Sequence, residues 1–391
     1  MRQKSKTLLL VLPVLLALGA PISLRPQSGW TLGGRPVPGP LPPDPAAARP
    51  ALDERIDVVF GAPGGVPLRL DFFKPVLCRG QRVPLVVFVH GGAWTAGGKS
   101  GVATRGDARL FFQLGFAVAA IEYRLAPESH FPAQIHDCKL AIRFLRAHAA
   151  EWGVDPDRIG IWGSSAGGHL VALMGTAGDA DGVEGPGYEG VSSRVAAVVD
   201  HFGPTDLRGD LSGAGDWARE TIINFLGCDP AVCPETAIAA SPVCHVTPDD
   251  PPIMMIHGDR DATVPYQQSE ILAEELRRAG NACALIRVEN AGHGFRPTPA
   301  DAVIVPSQAE INRLTVGHLA RFLEPGLRGD LDMSGRLDLA DFRALLTAVG
   351  MLGVGPGAVP APAGWNPLAD LAPDGRIDYL DVLAFLKIGW D

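Results

Sequence analysis

Three separated stretches carry side chains that could do covalent chemistry together. In GSSAGG, residues 163–168, Ser165 is the centre of a Gly-x-Ser-x-Gly pattern, between the apolar run Ile159–Trp162 and a helical pattern that resumes at Leu170. A serine at a tight strand-to-helix turn has its hydroxyl pushed into the open, and its flanks must be tiny because the backbone there is crowded. The helix behind it turns its positive end toward any developing negative charge. Ser164 then serves spacing and the turn. A lone serine is a poor nucleophile near neutral pH: it needs a base to take its proton and a carboxylate to hold that base. In this layout acid and then histidine should follow, each just past a strand end. Ile253–His257 leads into GDRDATVP, with Asp261 in the turn, and Ala284–Val288 leads into ENAGHGF, with His293 between glycines. Asp259 and Asp206 compete for the acid role, although turn capping and surface solvation explain them equally well. Asp261 is preferred because it precedes Val264-Pro265 on the loop from the penultimate strand.

Attack on a carbonyl makes an oxyanion, which backbone N–H groups can hold. His90-Gly91-Gly92-Ala93-Trp94 follows the strongly apolar run Leu85–His90. Gly91 and Gly92 let the backbone approach a substrate oxygen, and the N–H of Ala166 completes the hole. An ordinary glycine-rich turn would explain the two glycines but not three other elements in matching order. The chemistry expected is acyl transfer to water, falling off on acidification because the base must be neutral.

Positioning these groups requires short strands that alternate with helices. Strands are expected at Leu85–His90, Ala117–Tyr123, Ile159–Trp162, Val195–His201, Ile253–His257 and Ala284–Val288, and amphipathic helices at 134–149 and 268–279. Continuous apolar strands between helices predict an α/β fold with a mostly parallel sheet covered on both faces. With 391 residues, 47% hydrophobic and 20% charged, the chain can bury a large core, and a net charge of -9 makes nucleic acid an unsuitable partner.

HGGAW, EYRLAPESHFPAQIHDCKLAIRFLR, GSSAGG, HGDRD and AGHGF together resemble the α/β-hydrolase superfamily. More closely they are similar to carboxylesterases of the hormone-sensitive-lipase-like and feruloyl/acetyl-xylan-esterase-like group, over residues 53–325. The resemblance implies a Ser165–Asp261–His293 triad, oxyanion donors at Gly91, Gly92 and Ala166, and no cofactor for catalysis. Ala93 and Ser164 depart from the lipase-like pattern, which often has glycine and aspartate there. Serine peptidase, lipase and non-catalytic scaffold are the alternative readings.

The ends of the chain have a different composition. Residues 1–20 place Arg2, Lys4 and Lys6 ahead of an apolar stretch, the pattern of a secretory signal peptide, and so predict an exported protein with no membrane association after cleavage. Residues 21–52 are rich in proline and glycine and read as a linker. Six cysteines suit an oxidising compartment; Cys228 and Cys233 could bridge, Cys244 is a rival partner, and Cys138 reads as a buried thiol. Residues 327–391 hold nine aspartates and no glutamate, eight of them in the related windows DLDMSGRLDLAD and DLAPDGRIDYLD. Asp330, Asp332, Ser334, Arg336 and Asp341, then Asp370, Asp374, Arg376 and Asp381, fall at the ligand positions of an EF-hand-like calcium loop, with Ala372 lacking a ligand oxygen. The doubled layout is similar to dockerin modules. It implies a small all-α module, bound calcium and a cohesin-like docking partner, and with export it makes acylated polysaccharide the expected substrate.

Overall fold

Runs of valine, isoleucine and phenylalanine bounded by glycine and proline build the strands of this computed structural model. It describes residues 51–76, 82–178, 181–209 and 216–323, together with a short ladder of Thr31–Leu32 antiparallel to Arg35–Pro36. The chain divides into two units, Met1–Ala48, to which that ladder belongs, and Arg49–Asp391. The predicted signal segment and the calcium-loop residues 327–391 lie outside the described residues. Among the described residues no helix is long and apolar enough to cross a membrane.

In the second unit, apart from a short ladder of Ala291–Gly292 with Arg296–Pro297, the described strands are Leu52–Gly61 (β1), Leu68–Pro75 (β2), Val83–Val89 (β3), Ala117–Ile121 (β4), Val154–Ser164 (β5), Val198–His201 (β6), Ile253–Gly258 (β7) and Cys283–Val288 (β8). They form one sheet in the order β8-β7-β6-β5-β3-β4-β2-β1. β4, β3, β5, β6, β7 and β8 pair in parallel, and β1 and β2 add an antiparallel edge. The helices are Gly106–Gln113 (α1), Ala133–Ala147 (α2), Ala149–Trp152 (α3), Ala166–Thr176 (α4), Asp216–Leu226 (α5), Pro234–Ala239 (α6), Gln267–Arg278 (α7) and Gln308–Leu323 (α8).

Every residue of β3 and β7 is buried, as a sheet covered on both faces requires. One face packs against α2, α4 and α7 through residues such as Ile135, Leu170 and Leu272. The other packs against α1 and α8 through Phe111, Trp162, Ile311 and Leu319. Strand β5, which runs into Ser165, lies between β3 and β6, so its end opens at the C-terminal edge of the parallel strands, where α/β sheets place their ligand sites.

The six expected strands are all present, with changed limits. β4 stops at Ile121: the Arg69 N–H donates to the Glu122 carboxylate at 3.1 Å, and the Tyr123 hydroxyl turns to His90 O at 3.0 Å. β6 starts at Val198 rather than Val195, where pairing with β7 begins. The edge strands β1 and β2 were not among the expected strands: LDERIDVVFG is mostly exposed and carries charges, which suits an outermost strand and hides its periodicity. Cys228 and Cys233 form a disulfide, Cys138 is a buried free thiol, and Cys244 is free.

Candidate active site

β5 ends at Ser164 and α4 begins at Ala166, leaving Ser165 in the turn with φ 56° and ψ -121°. A non-glycine residue in that region carries strain of order 1–3 kcal/mol, held by its surroundings. Here the Ser165 N–H donates to His201 O at 2.8 Å, and Ser165 O accepts from the His169 N–H at 2.9 Å. The turn is pressed against the end of β3: a methyl group on Gly167 would run into the carbonyl oxygens of Val89 and His90. Small residues in GSSAGG are therefore demanded by close approach.

His293 follows β8 and meets the serine. Its Nε2 lies 3.0 Å from Ser165 Oγ, and its Nδ1 lies 2.7 Å from Asp261 Oδ2. The carboxylate can only accept, so Nδ1 carries the proton and Nε2 presents a lone pair to the hydroxyl. Phe202, at φ 47°, sets its ring edge-on to the imidazole at 4.8 Å. Asp261, in the turn after β7, has a side chain closed to solvent. Its Oδ1 accepts the N–H groups of Thr263 at 2.8 Å and Val264 at 2.9 Å. Burial alone would raise its pKa, but contacts with His257 and His293 and the Val264 amide outweigh that and hold the carboxyl well below the usual carboxylate range. The competing carboxylates are otherwise engaged: Asp206 pairs with Arg208 at 2.7 Å and Asp259 with Arg287 at 2.8 Å.

The HGGAW loop lies against the same turn. A Cβ on Gly91 would sit 2.6 Å from Ser164 O and 3.3 Å from Ser165 Cβ. Gly92, at φ 119°, receives the Thr95 and Ala96 N–H groups on its carbonyl, both at 3.0 Å, which folds the loop back on itself. Ala166 is the first residue of α4, so its N–H has no carbonyl one turn earlier to bond. A cleft of about 430 Å³ opens here, walled by Trp94, Leu207, Trp217, Ile222 and Val264, with Ser165 and Asp206.

The structure thus brings Ser165, His293 and Asp261 into one hydrogen-bonded chain, with Gly91 against the serine turn, Gly92 next to it in the loop and Ala166 the residue after the serine. The supports for that chain went unread in the sequence: Phe202 behind the histidine, His257 beside the aspartate, and His169 under the glycine loop. His257 opens the HGDRD motif and His169 directly follows GSSAGG, and their being histidine was the available signal.

A sheet of this order with a serine turn at its C-terminal edge defines an α/β-hydrolase. Residues 70–276, just over half of the chain, match the BD-FAE family, and the chain belongs to it. Esterase LipQ of Mycobacterium tuberculosis is 34% identical over 258 residues, covering 65% of this chain and 60% of LipQ. The chain therefore spans about three-fifths of the length of that curated relative. A solved structure of a truncated carbohydrate esterase from gut microbiota is 32% identical, with a TM-score of 0.58 over 64% of this chain and 92% of that one. The thermophilic esterase Est2 of the planctomycete Thermogutta terrifontis is 31% identical, with a TM-score of 0.51 over 63% of this chain and 84% of its own.

Proposed function

We propose that the protein is a carboxylic ester hydrolase acting through a serine acyl-enzyme. The observation that carries this reading is the chain from Ser165 Oγ to His293 Nε2 at 3.0 Å and from His293 Nδ1 to Asp261 at 2.7 Å. BD-FAE membership and esterase relatives support it. Ser165 Oγ attacks the ester carbonyl carbon as His293 Nε2 takes the hydroxyl proton. Asp261, ionised, steadies the imidazolium. The oxyanion is held by N–H groups of the Gly91–Gly92 loop and of Ala166. As the tetrahedral intermediate collapses, His293 gives its proton to the departing alcohol. Water then attacks the acyl carbon, passing a proton to His293, and its collapse frees the acid and restores the serine hydroxyl. Ser165→Ala is expected to lower kcat on an aryl acetate by at least about a thousandfold with the melting temperature retained. Near-parental turnover, or fluorophosphonate labelling that persists in the variant, would remove the reading. Uncatalysed rates in the parent on acetyl, butyryl, feruloyl, long-chain and peptide substrates would leave a scaffold role.

We also propose the finer reading: an exported enzyme that removes acyl groups from polysaccharide, with a dockerin-like, calcium-binding C-terminal module that docks on a cohesin-like partner. The repeated aspartate windows and the N-terminal segment support it, as does similarity to a protein described as a carbohydrate esterase. Calorimetric titration of the full chain with calcium should give heat that falls when Asp330 and Asp341 of the first loop are replaced by alanine. No heat at millimolar calcium would remove the metal from the account.

A further inference from the structure

We propose that His257 is a positioning residue for Asp261, a proposal that rests on the ester-hydrolase reading of the triad. His257 is the penultimate residue of β7 and its side chain is closed to solvent, as is that of Asp261 four residues on. Both nitrogens of this buried imidazole are engaged, so its contacts define its role. Nε2 lies 2.9 Å from Val264 O, and Nδ1 lies 2.7 Å from Ser269 Oγ in α7. A carbonyl can only accept, so Nε2 carries a proton, and in the neutral ring Nδ1 takes the hydroxyl hydrogen of Ser269. The tautomer is fixed by these two partners.

The same Nε2–H faces Asp261 Oδ2 at 3.5 Å, too long for a good hydrogen bond but close enough for its dipole to act on the charge. Oδ2 is the oxygen that accepts from His293. His257 therefore does two things. By holding Val264 O it curls the Asp261–Val264 turn so that the Thr263 and Val264 amides aim into Oδ1. By pointing an N–H dipole at Oδ2 it shares the negative charge that His293 would otherwise meet alone. Three other titratable groups face this pocket. Asp259 is tied to Arg287, Tyr266 sets its ring at 5.7 Å from the His257 ring with Glu270 near it, and Asp200 on β6, fully buried, accepts the Gly203 N–H on Oδ1 and lies within electrostatic reach of His257.

Three variants of the full chain test this: His257→Phe, His257→Gln and Ser269→Ala. Phe keeps the volume and removes both polar contacts, whereas the amide nitrogen of Gln reaches the Nε2 position and can still donate. His257→Phe should lower kcat about 10- to 100-fold with KM nearly unchanged, the scale of a misplaced catalytic group. Its acid limb in the kcat/KM profile should move to higher pH, because Asp261 then concentrates its charge on His293. His257→Gln should recover most of the lost kcat. Ser269→Ala, which takes away the hydroxyl that anchors Nδ1 and so loosens the ring while leaving the core filled, should lower kcat severalfold with the same direction of pH shift. The downfield proton resonance of the His293–Asp261 hydrogen bond should shift or broaden in His257→Phe and Ser269→Ala. That signal reads positioning even if the parent turns over no ester, so failure of the ester-hydrolase reading is told apart from failure of this one. A folded His257→Phe with kcat within threefold of the parent and an unmoved acid limb overturns the proposal. If that variant does not fold, an unchanged Ser269→Ala in rate, pH limb and proton resonance overturns it.

Discussion

At the scale of single residues, the candidate triad was legible because each member sits where an apolar run stops and small residues begin. Ser165, Asp261 and His293 are polar side chains in glycine-rich turns, and no packing demand explains them there. The residues that steady them were not legible in the same way. Phe202 is an ordinary aromatic beside a strand end until its ring is seen 4.8 Å from the imidazole. The geometry at Asp261 makes a sharp prediction. Asp261→Asn keeps an oxygen for the Thr263 and Val264 amides and puts an NH2 group where Oδ2 now accepts from His293. The imidazole must then turn its lone pair toward the asparagine and its N–H toward Ser165, the tautomer that cannot take the serine proton. We expect kcat to fall by about 10⁴-fold, the loss known for the equivalent change in a serine protease triad. Steady-state kinetics beside thermal melts would check it, with melting within a few degrees of the parent. A loss of tenfold or less would mean that the carboxylate does not set the tautomer.

At the scale of elements, the parallel strands announced themselves as apolar runs, and so did helices α2 and α7, each within one or two residues of its expected limits. β1 and β2 did not: β1 is a half-exposed outer strand that carries charge, and β2, although buried, is interrupted by Arg69, Asp71 and Lys74 where the inner strands carry valine. What joins the glycine loop to the serine turn was equally hidden. Trp94 of HGGAW donates its indole N–H to His169 Nδ1 at 3.2 Å, inside α4, and His169 Nε2–H donates to Ala240 O at 2.7 Å, just past α6. Trp94 also stacks on Phe225 of α5 with ring centres 4.2 Å apart. One buried histidine thus clamps the HGGAW loop, the helix after the serine turn and the cleft wall. Full burial depresses its pKa to about 4, so it is neutral at working pH and can hold one donor and one acceptor. His169→Phe leaves the Trp94 indole and the Ala240 carbonyl without partners in a dry core, at roughly 1–3 kcal/mol each. The melting temperature should drop by several degrees. Turnover should fall by more than KM changes, since a loosened loop weakens the hold on the transition state alone. Calorimetry with steady-state kinetics on one preparation reads both, and an unaltered kcat would show that the loop is held by other contacts.

At the scale of the whole molecule, the sheet is bracketed by histidines that folding keeps uncharged. His169, His201 and His318 are fully buried, and desolvation lowers each pKa to about 4 from the ordinary value near 6.5. A depressed pKa on a base contributes stability that is complete above the unfolded value and lost as pH falls toward the folded one, so the window runs from about 6.5 down to about 4. Asp200 opposes them in part: burial raises its pKa to about 6, so its contribution is complete below the ordinary carboxylate value and lost as pH rises through 6. At pH 5 the unfolded chain then binds about two more protons than the folded one, close to three from the histidines less about one from Asp200. Stability should fall by roughly 2–3 kcal/mol per pH unit there, as an upper figure. Melting temperature followed from pH 8 to 4.5 should be nearly level above pH 7 and drop steeply below 6.5. His318→Gln, which retains a donor for Pro252 O, should flatten the slope at pH 5 by about one proton. A level melting temperature between pH 6.5 and 4.5 would mean that these imidazoles ionise without disturbing the core, and that both faces of the sheet are wetter than their burial implies.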